Sequence, residues 1–399
     1  MPARLASTGV FADTARLTPA SALLPYDLRV SFWSDGAVKR RWAAVPAGHP
    51  AGFAAAGPWV FPAGTVFVKH FEIAEDETRP DRRRRLETRL LVRAAAGGVY
   101  GLVYKWRADG ADADLLATNL SETITIRTVT GVRTQNWYYP SRADCLQCHN
   151  EAAGGVLGVK TAQLNGEWRY PGGGVENQLL VWSRGGMLAP AVTAAELDGL
   201  PRLAAAHDLG RGLEDRARSY LDANCAACHR PGVTVGNFDA RYETPLPRQN
   251  LLNGPVLIDQ GLDGARVVAP NDPWRSILYL RAGTVEGMKM PPLAHGVVDA
   301  PGVALLREWI TSLPGPPVLS PPAIQPRGGN FREPVQVTLS AAEAGAEMHY
   351  TLDGSAPNKS DPVYSVPFTV SGPSVVRARA YRPGWTRSIT SQEIFLIGD

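Results

Sequence analysis

The sequence predicts a multidomain α+β protein with an N-terminal β-sandwich-like domain, a central α-helical domain and a C-terminal Ig-like β-sandwich. The length of 399 residues favours two or three domains, because single hydrophobic cores rarely grow beyond roughly 250–300 residues. The 40 glycines and 33 prolines indicate many turns. Both ends of the chain alternate apolar and polar residues, whereas the region between residues 211 and 315 shows helical spacing.

The composition excludes several classes of protein. Apolar residues make up 44% and charged residues 20% of the chain, which is typical of a globular protein. A net charge of +3 indicates no nucleic-acid partner. No apolar run reaches the roughly 18 residues of a membrane-spanning helix, so we predict no transmembrane helix. No signal peptide is visible in the given chain.

The N-terminal domain is predicted over residues 1–140 from four strand-like segments. Each segment alternates apolar and polar residues and is bounded by turn residues. The segments are "GTVFVKHFEI", "RRLETRLLVRA", "GVYGLVYKWRA" and "TITIRTVTG". This pattern predicts a β-sandwich or a barrel-like sheet.

All four cysteines lie in two C-x-x-C-H motifs. On a helix, residues three and four apart share a face, so two thiols and an imidazole project together. C-x-x-C-H is the sequence signature of covalent haem attachment, with the histidine as iron ligand. We therefore predict two covalently bound haem c groups, attached through Cys145, Cys148, Cys225 and Cys228, with iron held by His149 and His229.

Two other kinds of site remain open at this point. A redox dithiol needs only C-x-x-C, and the following histidine is then incidental. A zinc site could be built from both cysteine pairs, although zinc-binding histidines usually come later in the sequence.

The second motif is predicted to lie in an α-helical cytochrome c-like haem domain over residues 211–315. Leu213, Ala217, Tyr220 and Leu221 follow helical spacing just before it, and "PGVALLREWITSLPG" does so at the other end. Met290, held in an extended loop by the two prolines that follow, is the predicted sixth iron ligand, with Met288 as the alternative.

The first motif is predicted in a haem-binding segment over residues 141–210. The preceding "TQNWYYPSRAD" reads as extended, so this segment does not resemble a small cytochrome domain. Its sixth ligand stays open between His70, Met187, His207 and an unligated iron.

The C-terminal part begins after a Pro-rich linker over residues 316–329. Short alternating strands and the turn "LDGS" then predict an Ig-like β-sandwich module over residues 330–399.

Two resemblances follow from these motifs. From about residue 5 to 313 the chain resembles a family of bacterial dihaem c-type cytochromes of undefined role, in stretches that include "LPYDLRVSFWSDGAVKRRW", "FPAGTVFVKHFEI", "YPSRADCLQCHNEAAGGVLGVKTAQLN" and "MPPLAHGVVD". The resemblance implies haem attachment at the four cysteines and export. Residues 330–395, with "MHYTLDGSAPNKSDPVYSVPFTVSG", resemble the C-terminal module of chitobiases and β-hexosaminidases, which does not make the chain a glycosidase.

The leading functional hypothesis is an exported dihaem c-type cytochrome, periplasmic or extracellular, that carries electrons between redox partner proteins. Membrane anchoring through a leader outside the given chain stays open. One alternative is a dihaem peroxidase- or oxygenase-like enzyme that uses an open first haem. Another is a surface-interaction protein whose sandwich module binds a partner or polymer. An electron-transfer role is favoured over an enzyme.

Overall fold

The computed structural model describes residues 1–233 and 236–398, and it is mostly β. In the described part of the chain, strands account for 30% and helices for 16% of the residues. This finding contradicts the predicted α+β class and its α-helical cytochrome c-like domain. Two predicted helices do form, but turns and irregular segments occupy much of residues 225–299, so no helical domain encloses the second motif.

The chain divides into two compact units. The first comprises Met1–Gln249 with Ala282–Leu305, and the second comprises Asn250–Arg281 with Leu306–Asp399. No helix in the described part of the chain is long and apolar enough to cross a membrane.

The first unit holds fourteen strands in its described residues. They are β1 (Phe11–Asp13), β2 (Thr18–Pro19), β3 (Leu24–Tyr26), β4 (Val38–Ala44), β5 (Ala51–Gly52), β6 (Val66–Ile73), β7 (Arg84–Arg93), β8 (Val99–Trp106), β9 (Ala113–Leu115), β10 (Leu120–Thr128), β11 (Gly131–Tyr139), β12 (Glu167–Arg169), β13 (Val175–Asn177) and β14 (Leu188–Ala189). Its helices are α1 (Arg142–Cys148), α2 (Thr161–Leu164), α3 (Gln178–Arg184) and α4 (Leu213–Asn224), with 3-10 turns at Leu5–Thr8, Ala194–Gly199 and Leu246–Arg248.

A six-stranded antiparallel sheet organises this unit, in the order β3-β4-β6-β7-β8-β9. Because successive side chains of a strand point to opposite faces of the sheet, each strand contributes residues to two different surroundings. On one face, the directly paired Trp42, Val68, Leu90 and Leu102 belong to one buried cluster. The opposite face carries Arg41, Lys69 and Arg89, which are paired directly across β4, β6 and β7.

The β10–β11 hairpin covers part of that second face. Ile124, Ile126, Trp137 and Tyr139 of the hairpin form a buried cluster with sheet residues that include Phe71. Strand β11 ends at Tyr139, and α1 begins three residues later at Arg142. The hairpin therefore delivers the first C-x-x-C-H motif to the sheet.

Residues after the first motif complete a separate core. Trp182 on α3 packs at 5.8 Å from Trp59 and 5.7 Å from Tyr26, measured between ring centroids. Val156 and Met187 belong to the same buried cluster.

The second unit contains the C-terminal sandwich. Its elements are a 3-10 turn (Pro273–Arg275), the greater parts of α5 (Ile277–Ala282) and α6 (Ala300–Ser312), and the strands β15 (Ala323–Gln325), β16 (Gly329–Phe331), β17 (Val335–Ser340), β18 (Glu347–Thr351), β19 (Phe368–Val370), β20 (Ser374–Tyr381) and β21 (Ser391–Ile397). The sheets have the orders β15-β17-β19 and β16-β21-β20-β18. Val337, Leu339, Val376 and Phe395 lie in the core of the module.

The Pro-rich segment before the module is packed against it. Leu319 is fully buried, and its backbone N–H donates to the Thr386 carbonyl at 3.0 Å. The Thr386 N–H donates in return to the Pro317 carbonyl at 2.8 Å. These bonds fix residues 317–319 on the sandwich.

Candidate functional site

The first motif lies on α1, whose N-terminus is firmly capped. The Ser141 hydroxyl accepts from the Asp144 N–H at 3.2 Å, and the Asp144 carboxylate accepts from the Ser141 N–H at 2.8 Å. This reciprocal arrangement is a capping box. The Tyr138 hydroxyl also donates to Asp144 at 2.7 Å, which ties β11 to the helix. The two cysteines that follow are therefore held on a fixed turn.

Cys145 packs directly on the backbone of β8. A Cβ atom at Gly101 would lie 2.8 Å from the Cys145 Sγ, closer than real Cβ contacts allow. Glycine is thus needed for the close approach of backbone to thiol. Burial raises the pKa of Cys145, although the nearby Arg89 guanidinium opposes this shift. Cys145 is therefore a thiol at neutral pH.

His149 follows the helix as its C-cap residue. Its Nδ1 contacts the Gly155 carbonyl at 2.8 Å. A carbonyl only accepts hydrogen bonds, so the proton sits on Nδ1 and Nε2 keeps its lone pair. Burial lowers the pKa of His149 to about 4. The ring is therefore a neutral imidazole near pH 7.

The second motif begins where α4 ends. The Cys225 N–H donates to the Leu221 carbonyl at 2.8 Å, and the chain then turns so that the N–H groups of Cys228 and His229 both donate to the Cys225 carbonyl. Burial raises the pKa of Cys225 to about 12. The His229 ring stacks on Phe238, with centroids 4.2 Å apart and planes 17° apart.

The two motifs meet in space. The Cys148 thiol is hydrogen-bonded to the Cys228 sulfur. The loops around the motifs also touch, since Asn150 Nδ2 donates to the Ala227 carbonyl at 3.5 Å and Arg230 donates to the Ala152 carbonyl at 3.3 Å. The fold thus joins two sequence-distant C-x-x-C pairs into one cysteine cluster, defined as Cys145, Cys148, Cys225 and Cys228.

The contact gives the sulfurs of Cys148 and Cys228 different pKa values. The hydrogen bond from Cys148 lowers the pKa of Cys228 to about 7 despite partial burial. The same bond, reinforced by burial, raises the pKa of Cys148. Cys228 is accordingly the sulfur that ionises and Cys148 the one that donates. A thiolate is the reactive form of cysteine, so Cys228 is the nucleophile of the cluster.

A cavity of about 240 Å³ opens beside the cluster. Cys145, Cys148 and His149 line one wall, and the cations Arg41, Lys69 and Arg89 line the sheet wall. Apolar side chains, among them Phe67, Leu91, Val156 and Leu157, form much of the remainder.

The structure contradicts the cofactor prediction. Within residues 1–233 and 236–398, no group of three or more His, Cys, Asp or Glu side chains is arranged to hold a metal ion. Together with the mostly β fold, this finding overturns the prediction of two covalently bound haem c groups and of an iron-containing cytochrome.

The residues proposed as sixth ligands are scattered. His70 is buried in β6, with its ring nitrogens 2.8 Å from the Thr88 hydroxyl and 3.3 Å from Glu72. Met187 belongs to the Trp59–Trp182 core, and His207 is exposed. Met290 is half-buried and Met288 is 37% exposed. The described cavity lining includes none of these five residues.

Sequence reasoning missed the row of cations on the sheet. A signal was present in "GTVFVKHFEI", where Lys69 shares a strand face with Phe67 and Phe71. A charge on an apolar strand face needs a partner or a ligand, and that requirement points to a site.

Comparison with known proteins supports the C-terminal assignment. Residues 326–392 match the family model of the chitobiase/beta-hexosaminidase C-terminal domain. This confirms the predicted resemblance of the module. No curated protein and no solved structure matches the chain, and no family model supports the resemblance to dihaem cytochromes.

Proposed function

We propose that the protein carries electrons between redox partners and that Cys148 and Cys228 are its redox pair. The observation that carries this proposal is the contact between the two C-x-x-C motifs, which brings Cys148 and Cys228 close enough to perturb each other's pKa. Two sulfurs within hydrogen-bond distance can form a disulfide with little movement of the chain. An electron carrier needs such a reversible couple.

The exchange reaction follows ordinary thiol chemistry. The Cys228 thiolate attacks one sulfur of an oxidised partner, and the other partner sulfur leaves as a thiolate. Cys148 then loses its proton and attacks the Cys228 sulfur of the mixed disulfide. The partner's second sulfur leaves, and a Cys148–Cys228 disulfide remains. The partner has gained two electrons, and the protein has lost them.

The other two cysteines are suited to supporting roles. Burial keeps Cys225 protonated, with a pKa of about 12, and Cys145 is packed against Gly101. A buried thiol in an apolar setting is inert toward exchange. The cluster therefore has one reactive pair and two resting thiols.

Export to the periplasm or beyond is part of the proposal, because disulfide couples persist in oxidising compartments. The partners are other redox proteins.

Disulfide mapping tests the proposal. The protein is reduced, oxidised with oxidised glutathione, blocked with iodoacetamide and digested, and the linked peptides are identified by mass spectrometry. We expect a bond between Cys148 and Cys228. Cys225→Ser is the matched control and keeps this bond, whereas Cys148→Ser loses it. Bonds confined to Cys145–Cys148 and Cys225–Cys228 would contradict the proposal.

A second candidate function is adhesion or partner binding by the C-terminal module. It rests on the match of residues 326–392 to a carbohydrate-enzyme-associated domain. Its test is deletion of residues 316–399. Loss of surface localisation or of partner binding supports it, and unchanged localisation and binding contradict it.

A further inference from the structure

Three cations stand side by side on the cavity wall. Arg41 pairs with Lys69 and Lys69 pairs with Arg89 in the ladder of β4, β6 and β7. Directly paired residues on neighbouring strands project from the same face, with Cβ atoms roughly 5 Å apart. Like charges in this arrangement destabilise a sheet. Something must offset their repulsion.

Two of the three cations have carboxylate partners. Arg41 is paired with Asp27 and also donates to the Ser31 hydroxyl at 2.6 Å. Arg89 donates to both oxygens of Glu87, at 2.6 and 3.0 Å. These pairs leave the middle cation uncompensated.

Lys69 has no such partner. In the described part of the chain, no carboxylate lies within ion-pair distance of its Nζ. Instead the ammonium lies 4.9 Å from the Phe71 ring centroid and 5.9 Å from that of Phe32. Burial lowers the pKa of Lys69 well below its ordinary value, and the neighbouring cations add to the shift. The wall therefore disfavours the charged form of Lys69 unless an anion lies beside it.

The acidic residues that line the cavity have hydrogen-bond or ion-pair partners other than the three cations. Asp144 serves the capping box and the Tyr138 hydroxyl. Asp222 and Glu243 both pair with Lys160, at 2.7 and 3.4 Å. None of them neutralises the sheet wall.

The rest of the cavity favours an apolar body. Phe67, Leu91, Val156 and Leu157 line it, and its volume of about 240 Å³ is near the lower end of small-molecule pockets. A ligand that buries apolar surface here gains hydrophobic free energy, and its charged end can meet Lys69.

We propose that this cavity is a binding site for an amphipathic carboxylate, with the carboxylate at Lys69 between Arg41 and Arg89 and the apolar body against Phe67 and Val156. The anion-binding wall belongs to the sheet, whereas Cys148 of the redox pair lines another wall of the same cavity, so the two proposals are tested separately below.

Calorimetric titration with decanoate as the probe tests this site. Decyltrimethylammonium has the same chain length and the opposite charge. We expect one decanoate per chain and at least tenfold weaker binding of the cationic probe. Equal binding of the two would overturn the proposal, because a purely apolar cavity does not distinguish them by charge.

Lys69→Met removes the ammonium and keeps the aliphatic body of the side chain. We expect decanoate affinity to fall at least tenfold, with a melting temperature equal to or above that of the unchanged protein, since a buried amine without a carboxylate partner is gone. Lys359→Gln, an exposed lysine of the module, is the matched control and leaves binding unchanged. Unchanged affinity in Lys69→Met would overturn the proposal.

The double variant Cys148→Ser, Cys228→Ser separates the two proposals. Decanoate binding retained in this variant shows that the ligand site does not depend on the redox pair. Disulfide mapping on Lys69→Met shows whether the Cys148–Cys228 bond forms without the lysine of the ligand site. Failure of one proposal is thereby distinguished from failure of the other.

Discussion

Cys148 at the end of α1 donates a hydrogen bond to the sulfur of Cys228, which follows α4. This contact joins the two C-x-x-C-H motifs into one cluster and gives the two sulfurs different acidities. It is the structural basis for assigning Cys228 as the nucleophile and Cys148 as the resolving thiol.

Alkylation of Cys228 is expected to depend on pH with a midpoint near its pKa of about 7. Only the thiolate reacts, so the rate rises as pH increases through that value. The alkylation rate of Cys228 is measured by peptide mass spectrometry after pulses of labelled iodoacetamide between pH 5.5 and 9.

The Cys148→Ala variant removes the donor. We expect the midpoint for Cys228 to move up toward the ordinary cysteine value and the rate at pH 7 to fall several-fold. Cys145→Ala is the control, because its sulfur packs on Gly101. A midpoint that stays the same in Cys148→Ala would contradict the assignment.

Gly101→Ala is expected to destabilise the protein by about 1–3 kcal/mol, because overpacking a tight contact forces neighbouring atoms apart. The new Cβ would stand 2.8 Å from the Cys145 sulfur. Urea unfolding measures the change. Gly174→Ala, where nothing lies within 4 Å, is the control.

The double variant Gly101→Ala, Cys145→Ala tests the cause. Removing the sulfur relieves the clash, so we expect the double variant to lose less stability than the sum of the single changes. If the losses of unfolding free energy in the two single variants simply add in the double variant, the Cys145 sulfur is not the cause of the strain.

Glu122 is expected to contribute to acid stability. Burial favours its protonated form, but bonds from Arg84, Tyr139 and Lys105 outweigh burial and hold its pKa at about 2, against an ordinary value of 4.5. The folded pKa is lowered, so the stabilisation is present above about pH 4.5 and is lost as pH falls toward 2. Glu122→Gln should flatten the dependence of unfolding free energy on pH in this window. An unchanged slope would contradict the assignment.

Arg275 is expected to matter more to the second unit than Arg387. Arg275 is 6% exposed and bonds to Asp272 at 2.9 Å and to the Asp263 and Arg387 carbonyls. Breaking a buried pair costs about 3–5 kcal/mol, because a charge is left uncompensated. Arg275→Met should therefore lower the unfolding free energy by about that amount.

Arg387→Gln is the matched comparison. Its half-exposed side chain pairs with Asp263 at 2.6 Å, and exposed pairs contribute about 1 kcal/mol or less. Equal losses in the two variants, measured by chemical unfolding, would contradict the role assigned to burial.

Local patterns were sufficient to predict several elements. Strands β6, β7 and β8 lie within segments whose alternation predicted them, and α4 and α6 occur where helical spacing placed them. The C-terminal module was recognised from "MHYTLDGSAPNKSDPVYSVPFTVSG", and residues 326–392 match its family model. These features depend on neighbours in the chain.

The cofactor and the helical domain were predicted wrongly because each motif was interpreted alone. The contact between Cys148 and Cys228 depends on the whole first unit and leaves no trace in the spacing of either motif. The cationic row depends on the register that pairs Arg41 with Lys69 and Lys69 with Arg89, which a single sequence does not reveal.

The state of the four cysteines in the exported protein tests the central claim most directly. The chain is produced with a leader in a bacterium that carries the machinery for c-type cytochrome maturation, and its intact mass and reactive thiols are measured. We predict the mass of the polypeptide alone, four cysteines alkylated after reduction and unfolding, and two fewer when mild oxidation precedes unfolding, with Cys148 linked to Cys228. A mass above that of the polypeptide, with sulfurs that stay blocked after reduction, would contradict the account.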